Sequence, residues 1–158
     1  MLGFDFEEKR IKQEITQLGA KRVLLQMPEG LKPEAPRLAK IIEKCGALAI
    51  ISADPCYGAC DIADTEAEGL GVNLIVHFGH AKMVKHESVH TIYVEARATV
   101  TLDKAVEHSL QLLSSYTSIG LATSVQHLQT LNIAREILTH AGKTVIIGHT
   151  GQIGYPGQ

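Results

Sequence analysis

Short apolar runs alternate with longer stretches of helical spacing along most of the chain. Residues 5–18, with Phe4 just ahead, place Phe4, Ile11, Ile15 and Leu18 on one face among charges, and Gly19 is a natural stop. Residues 23–27 form an apolar run closed by Pro28, the pattern of a buried strand. The loop Pro28-Glu29-Gly30 leads to a helix over about 33–44 with Leu38, Ile41 and Ile42 inward and Gly46 after its end. Further strands are expected at 48–53, 73–78 and 91–96, with a short helix at 61–70 and a polar loop at 81–90. Beyond these, a helix at 103–114 turns Ala105, Val106, Leu110 and Leu113 inward. A strand at 118–122, a cap at Thr123-Ser124, a helix at 127–140 and a strand at 144–147 follow.

This alternation predicts an α/β chain: a mostly parallel four-stranded sheet flanked by helices, followed by the start of a second similar subdomain. The first subdomain is expected over 1–100 and the second, incomplete, over 101–158. Crossovers of this kind are right-handed, and ligands of such sheets collect beyond the carboxyl ends of the strands.

Composition narrows the function. A formal net charge of −2 and no basic stripe argue against a dedicated nucleic-acid binder, and the lack of Trp argues against a base-stacking surface. No apolar run reaches the length of a membrane span. The mixed, acidic N-terminus is not a signal peptide, and three cysteines, an odd number, fit a reducing cytoplasm without disulfides. No Gly-x-Gly-x-x-Gly follows the first strand, which argues against a nicotinamide or flavin Rossmann domain, and the Gly-rich tail carries no Gly-Lys-Ser/Thr of a P-loop.

The chemistry concentrates after the second strand, in Ser52-Ala53-Asp54-Pro55-Cys56-Tyr57-Gly58-Ala59-Cys60-Asp61. Asp-Pro breaks the strand, Gly58 suits a tight path, and Cys60 is expected at or just before the first turn of the following helix, where a thiolate is favoured. His77 and His80 end the third strand, and Glu29 follows the first. His77 reads as a core-facing ring and His80, in a loop after Gly79, as the better functional candidate. The other histidines read as surface residues. Cys45, at a helix end, reads as packing. Glu29 is as readily a solvated loop carboxylate as a ligand contact.

Three segments converge on one family. Leu25-Gln26-Met27-Pro28-Glu29-Gly30-Leu31, Asp54-Pro55-Cys56-Tyr57-Gly58-Ala59-Cys60-Asp61 and Val76-His77-Phe78-Gly79-His80 resemble, in order and spacing, the archaeal-type diphthamide synthase radical-SAM subunit. The resemblance runs from about residue 23 to the end. It implies transfer of a 3-amino-3-carboxypropyl group from S-adenosylmethionine to a histidine of translation elongation factor 2, through a radical formed at a 4Fe–4S cluster. It also implies three similar α/β subdomains that each give one cysteine, an external electron donor and a homodimer for the full-length protein. Cys60 matches the cluster ligand of the first subdomain, and Cys56 matches no ligand position. Glu29, Gly30, Tyr57, Gly58 and His80 are the residues expected to bind the cofactor. The usual Cys-x-x-x-Cys-x-x-Cys triplet is absent, since Ala63 stands where its third cysteine would be. The tail at 151–158 resembles the run that leads to the second subdomain's cysteine, so the chain is expected to be a fragment and inactive alone.

Two other functions compete. One is a zinc- or metal-binding α/β module using Cys56, Cys60, His77 and His80, because zinc accepts mixed sulfur and nitrogen ligands. The other is a non-enzymatic α/β domain that binds a partner protein.

Overall fold

The computed structural model describes residues 3–148, so the expectation for the tail at 151–158 lies outside the described residues. The chain forms two compact units, one of Asp5–Ala96 and one of Met1–Phe4 with Arg97–Gln158.

The unit of Asp5–Ala96 is a three-layer α/β structure. Its strands are β2 (Arg22–Gln26), β3 (Leu48–Ile51), β4 (Leu74–Phe78) and β5 (Thr91–Val94), numbered after a two-residue β1 (Phe4–Asp5). They lie in the order β3-β2-β4-β5, and every neighbouring pair is parallel. In register, Leu25 lies beside Ile51 and Val76, and Gln26 beside His77. Val23, Leu24 and Leu25 on β2, and Leu74, Ile75 and Val76 on β4, are all fully buried. Successive strand residues face opposite sides, so burial of three in a row means that both faces are covered.

One face packs under α3 (Asp64–Gly69): Leu24, Ile75, Ala67, Val72 and Val89 form a single cluster, with Ile50 and Ile62 at its margin. The helices α1 (Glu8–Leu18) and α2 (Ala35–Glu43) pack on each other, and α2 packs along β2 and β3. The inward face of α1 is Ile11 and Ile15, while Leu18, expected on the same face, is 48 % exposed; that of α2 is Ala35, Leu38, Ala39 and Ile42, with Ile41 only half-buried. Gly19 ends α1 in the left-handed region, with the N–H of Ala20 returning to the carbonyl of Ile15. Phe6 meets Phe78 edge to face at 5.9 Å, and the Arg37 guanidinium lies over the Phe6 ring.

Several boundaries move from their expected places. The turn after β2 is a 3-10 helix over Glu29–Glu34, because Pro33 permits one further turn before α2 begins. Residues 4–5 are extended where the apolar spacing continues the α1 pattern back to Phe4. The short strand β6 (Arg97–Ala98) has no counterpart in the sequence reading, since two residues are too few to show a period.

In the other unit, β7 (Ser118–Leu121) and β8 (Thr144–Ile147) pair in parallel, with α4 (Asp103–Leu112) packed on α5 (Leu131–His140). The Lys143 ammonium donates to the carbonyls of Leu113, Ser114 and Tyr116, in the turn that follows α4. The helix α4 buries no residue fully: Ala105 is exposed, and Val106 and Leu110 are half-buried, so the inward face expected there is only partly realised. His127, expected at the surface, is half-buried on the 3-10 turn that precedes α5.

The contrast between the two units sets a stability test. Leu24→Ala, in the fully buried centre of the sheet, is expected to cost about 2–5 kcal/mol in urea unfolding. Leu112→Ala, at a position 81 % exposed, is expected to change stability by no more than about 0.5 kcal/mol.

Candidate functional site

Parallel pairing places the carboxyl ends of β2, β3 and β4 on one edge of the sheet. The turn after β2 carries Glu29 and Gly30, the loop after β3 carries Cys56 to Asp61, and Gly79 and His80 follow β4. Each sequence-derived candidate therefore follows one of three adjacent strand ends. Cys45 does not. It lies in the turn between α2 and β3, before the start of that strand and so at the opposite edge, with its sulfur against the carbonyl of Ile41.

Two side chains fasten the cysteine loop. The Lys32 ammonium donates to the carbonyls of Ala53 (2.7 Å) and Asp54 (3.2 Å), and it also holds the Glu29 carboxylate. Glu29 is thus an ion-paired residue at the rim rather than a free one. Within the loop, the Asp61 carboxylate accepts from the Tyr57 N–H at 3.0 Å, and the Asp61 N–H returns to the carbonyl of Gly58.

The second fastening is Gln26, which is 4 % exposed at the end of β2. Its Nε2 donates to the Asp61 carbonyl at 2.7 Å, and its Oε1 accepts from the Ala63 N–H at 3.2 Å. Those backbone partners fix the amide's orientation, because a carbonyl only accepts and an N–H only donates. Oε1 also meets His77 Nδ1 at 2.8 Å, so Nδ1 carries the proton and donates. His77 Nε2 is then the acceptor, and His80 Nδ1, 2.9 Å away, is the donor to it. One amide thus sets the tautomers of two imidazoles in series.

Cys60 lies farther from the helix than the position at or just before its first turn that the sequence context implies. The helix α3 starts at Asp64, after Ala63. The Asp61 N–H is used by the loop's own turn, and the Asp61 carbonyl and Ala63 N–H are bonded to Gln26, while the Ala63 carbonyl accepts the first helical bond, from Ala67. Cys60 therefore owes nothing to a helix terminus; it is an exposed thiol on a braced loop. Tyr57 beside it is 87 % exposed. Gly30 and Gly58 have ordinary backbone angles, and a Cβ would meet nothing at Gly30 and only the Cys60 sulfur, at 4.0 Å, at Gly58. Neither fold nor packing requires glycine at these two positions. Gly79 differs: its φ is +85°, and a Cβ would lie 3.0 Å from Pro28 Cγ, which holds the turns after β2 and β4 in close contact.

Cys56 faces the other way. It is buried, and its sulfur, one ring nitrogen of His77 and one of His80 lie within 4.8 Å of one another. Cys60 is outside that group. Burial raises the Cys56 thiol above its ordinary value. Burial also pushes His77 down to about 4, with His80 adding to the shift, and it lowers His80. His77, near the end of β4, is the core-facing ring the sequence reading expects, fully buried with both nitrogens partnered. Gln26 and Lys32 escaped the sequence reading. For Gln26 a signal was present, a lone polar residue within the apolar run that ends β2.

A family model described as "Putative diphthamide synthesis protein" matches residues 27–158. The chain belongs to the diphthamide synthesis family. The 2-(3-amino-3-carboxypropyl)histidine synthase of Pyrococcus horikoshii is 36 % identical over 156 residues, covering 98 % of this chain and 46 % of that protein. Subunit 1 of the same synthase in Neurospora crassa is 32 % identical over 149 residues, covering 92 % and 32 %. The chain therefore spans less than half the length of these relatives. Crystal structures of Dph2 from Pyrococcus horikoshii, one of them with a 4Fe–4S cluster, superpose with a TM-score of 0.83 at 36 % identity. They cover 91 % of this chain and 43 % of the Dph2 chain. The family's fold is thus the fold described here, with the four-stranded parallel sheet flanked by helices.

The buried imidazole makes stability depend on pH. With a folded value of about 4 against an ordinary 6.5, His77 is neutral in both states above pH 6.5. Between pH 6.5 and 4 only the unfolded chain takes the proton, so stability falls as pH falls through that window and levels off below it. The loss is on the order of 3 kcal/mol, measured by urea unfolding in the presence of a chelator. His77→Gln is expected to flatten that slope.

Proposed function

We propose that this chain supplies the first cluster-binding loop of a 2-(3-amino-3-carboxypropyl)histidine synthase. The reaction is transfer of a 3-amino-3-carboxypropyl group from S-adenosylmethionine to a histidine of translation elongation factor 2, the first step of diphthamide biosynthesis. The observation that carries this reading is the placement of Cys60, an exposed thiol on a braced loop at the carboxyl edge of a parallel sheet. The chain's other two thiols are unsuited to that role, since Cys56 is buried and Cys45 lies at the opposite edge. A 4Fe–4S cluster is held by thiolates, and one accessible thiolate here fits a cluster whose other ligands come from other subdomains. When bound, the cluster supplies the electron that breaks a C–S bond of S-adenosylmethionine.

The residues around Cys60 would bind and orient that substrate. Gly30 and Gly58 leave their backbones open to close approach, and the Tyr57 ring is free to cover an apolar surface. His80, half-buried and hydrogen-bonded to His77, stands at the same edge of the sheet. Glu29, paired with Lys32, lends the rim a dipole rather than a net charge. An external reductant, a cytoplasmic setting, a homodimer of the full-length protein and a division into subdomains over 1–100 and 101–158 belong to the same reading. Among the described residues no helix is long and apolar enough to cross a membrane.

A chimera tests this. The matching segment of the Pyrococcus horikoshii synthase is replaced by this chain, reconstituted anaerobically with iron and sulfide, and incubated with S-adenosylmethionine, dithionite and elongation factor 2. Modified histidine is expected from the chimera and none from this chain alone. Cys60→Ala is expected to abolish both the cluster absorbance and the product, while Cys45→Ala leaves both. A full cluster and undiminished product in the Cys60→Ala chimera would refute the assignment.

A further inference from the structure

The loop after β3 carries two cysteines in opposite environments, and the proposed function uses only one of them. We propose that Cys56, His77 and His80 form a separate site for a divalent transition ion of the zinc class. The three donors come from the ends of β3 and β4, which flank β2 in the sheet, and lie within 4.8 Å of one another. Tetrahedral zinc, with bonds of about 2.0–2.3 Å, holds its donors roughly 3.4–3.6 Å apart. Binding would therefore draw the longest separation in by about 1 Å and spread the two ring nitrogens, 2.9 Å apart in their hydrogen bond, by about 0.5 Å.

The surroundings are those of a ligand set. His77 donates Nδ1–H to Gln26 Oε1, and the amide is itself locked by the Asp61 carbonyl and the Ala63 N–H. Metal-bound histidines are usually held in this way, with the second nitrogen bonded to an oxygen that fixes ring and tautomer. The Nε2 lone pair left over points at His80, and in the metal-free chain it accepts the His80 proton. A cation takes the same lone pair. The thiol separates this from a simple hydrogen-bonded pair of rings, since sulfur with two imidazoles selects zinc or a similar borderline-soft ion over magnesium or calcium. A thiolate–imidazolium nucleophile fits poorly, because burial keeps both rings neutral. Three protein ligands leave a fourth position open. A bound ion would tie the cysteine loop to the end of β4 and keep Cys56 from competing with Cys60 for iron.

The test uses the whole chain, treated with a chelator, kept reduced with a phosphine and titrated with cobalt(II) under argon. One equivalent is expected to bind, giving a thiolate-to-cobalt charge-transfer band and the strong visible bands of a tetrahedral site, both lost on adding zinc. Cys56→Ser is expected to remove the charge-transfer band, and His80→Gln to weaken binding at least tenfold. Both bands are expected to persist in Cys60→Ala. Circular dichroism checks the folding of each variant, and His80→Gln, at a half-buried position, decides the matter if Cys56→Ser does not fold. Absence of a charge-transfer band in the parent chain would overturn the proposal. So would a band that survives Cys56→Ser and disappears in Cys60→Ala, or undiminished affinity in His80→Gln.

Discussion

A single buried amide holds the candidate site in place. Gln26 is buried at the carboxyl end of a central strand, where a polar side chain without partners would be costly, and it finds three of them. Two belong to the backbone of the cysteine loop and the third is an imidazole on the next strand. The loop, the histidine pair and the sheet are thereby fixed relative to one another through one residue. Its amide cannot flip without leaving a backbone donor facing a donor and a carbonyl facing a carbonyl, so the orientation is determined by chemistry rather than by fit.

The sheet supplies the rest of the positioning. Because β2, β3 and β4 are parallel neighbours, three loops distant in sequence emerge side by side. Lys32 spans two of them, and the contact between Gly79 and Pro28 joins the first and third. The edge that carries the chemistry is thus also the edge where the loops are most heavily cross-linked by hydrogen bonds and packing. Such bracing reduces the reorganisation needed when a ligand arrives.

The four strands of the sheet were legible in the sequence, since each is a short apolar run bounded by Gly, Pro or a polar turn, and the helices α1 and α2 showed their buried faces in their spacing. The beginning of α3 was not legible. Residues 61–63 have helix-compatible identities, but the Asp61 carbonyl and the Ala63 N–H are claimed by Gln26, a partner some 35 residues away in sequence. The family was readable from three motifs. The grouping of Cys56 with His77 and His80 was only half visible, because sequence spacing weighs Cys56 and Cys60 alike. Burial, a property of the folded chain, separates the two sulfurs.

That separation has a consequence for the protein's life in air. Peroxide and oxygen-derived species attack sulfurs they can reach, and the first products, sulfenic acid and mixed disulfides, form where a thiol meets solvent. Cys60 stands in that position, while Cys56 is shielded by the same packing that turns it toward the histidines. Oxidative damage would therefore fall first on Cys60, leaving fold and histidine pair intact and making the loss reversible by a thiol reductant while it remains at the sulfenic or disulfide stage.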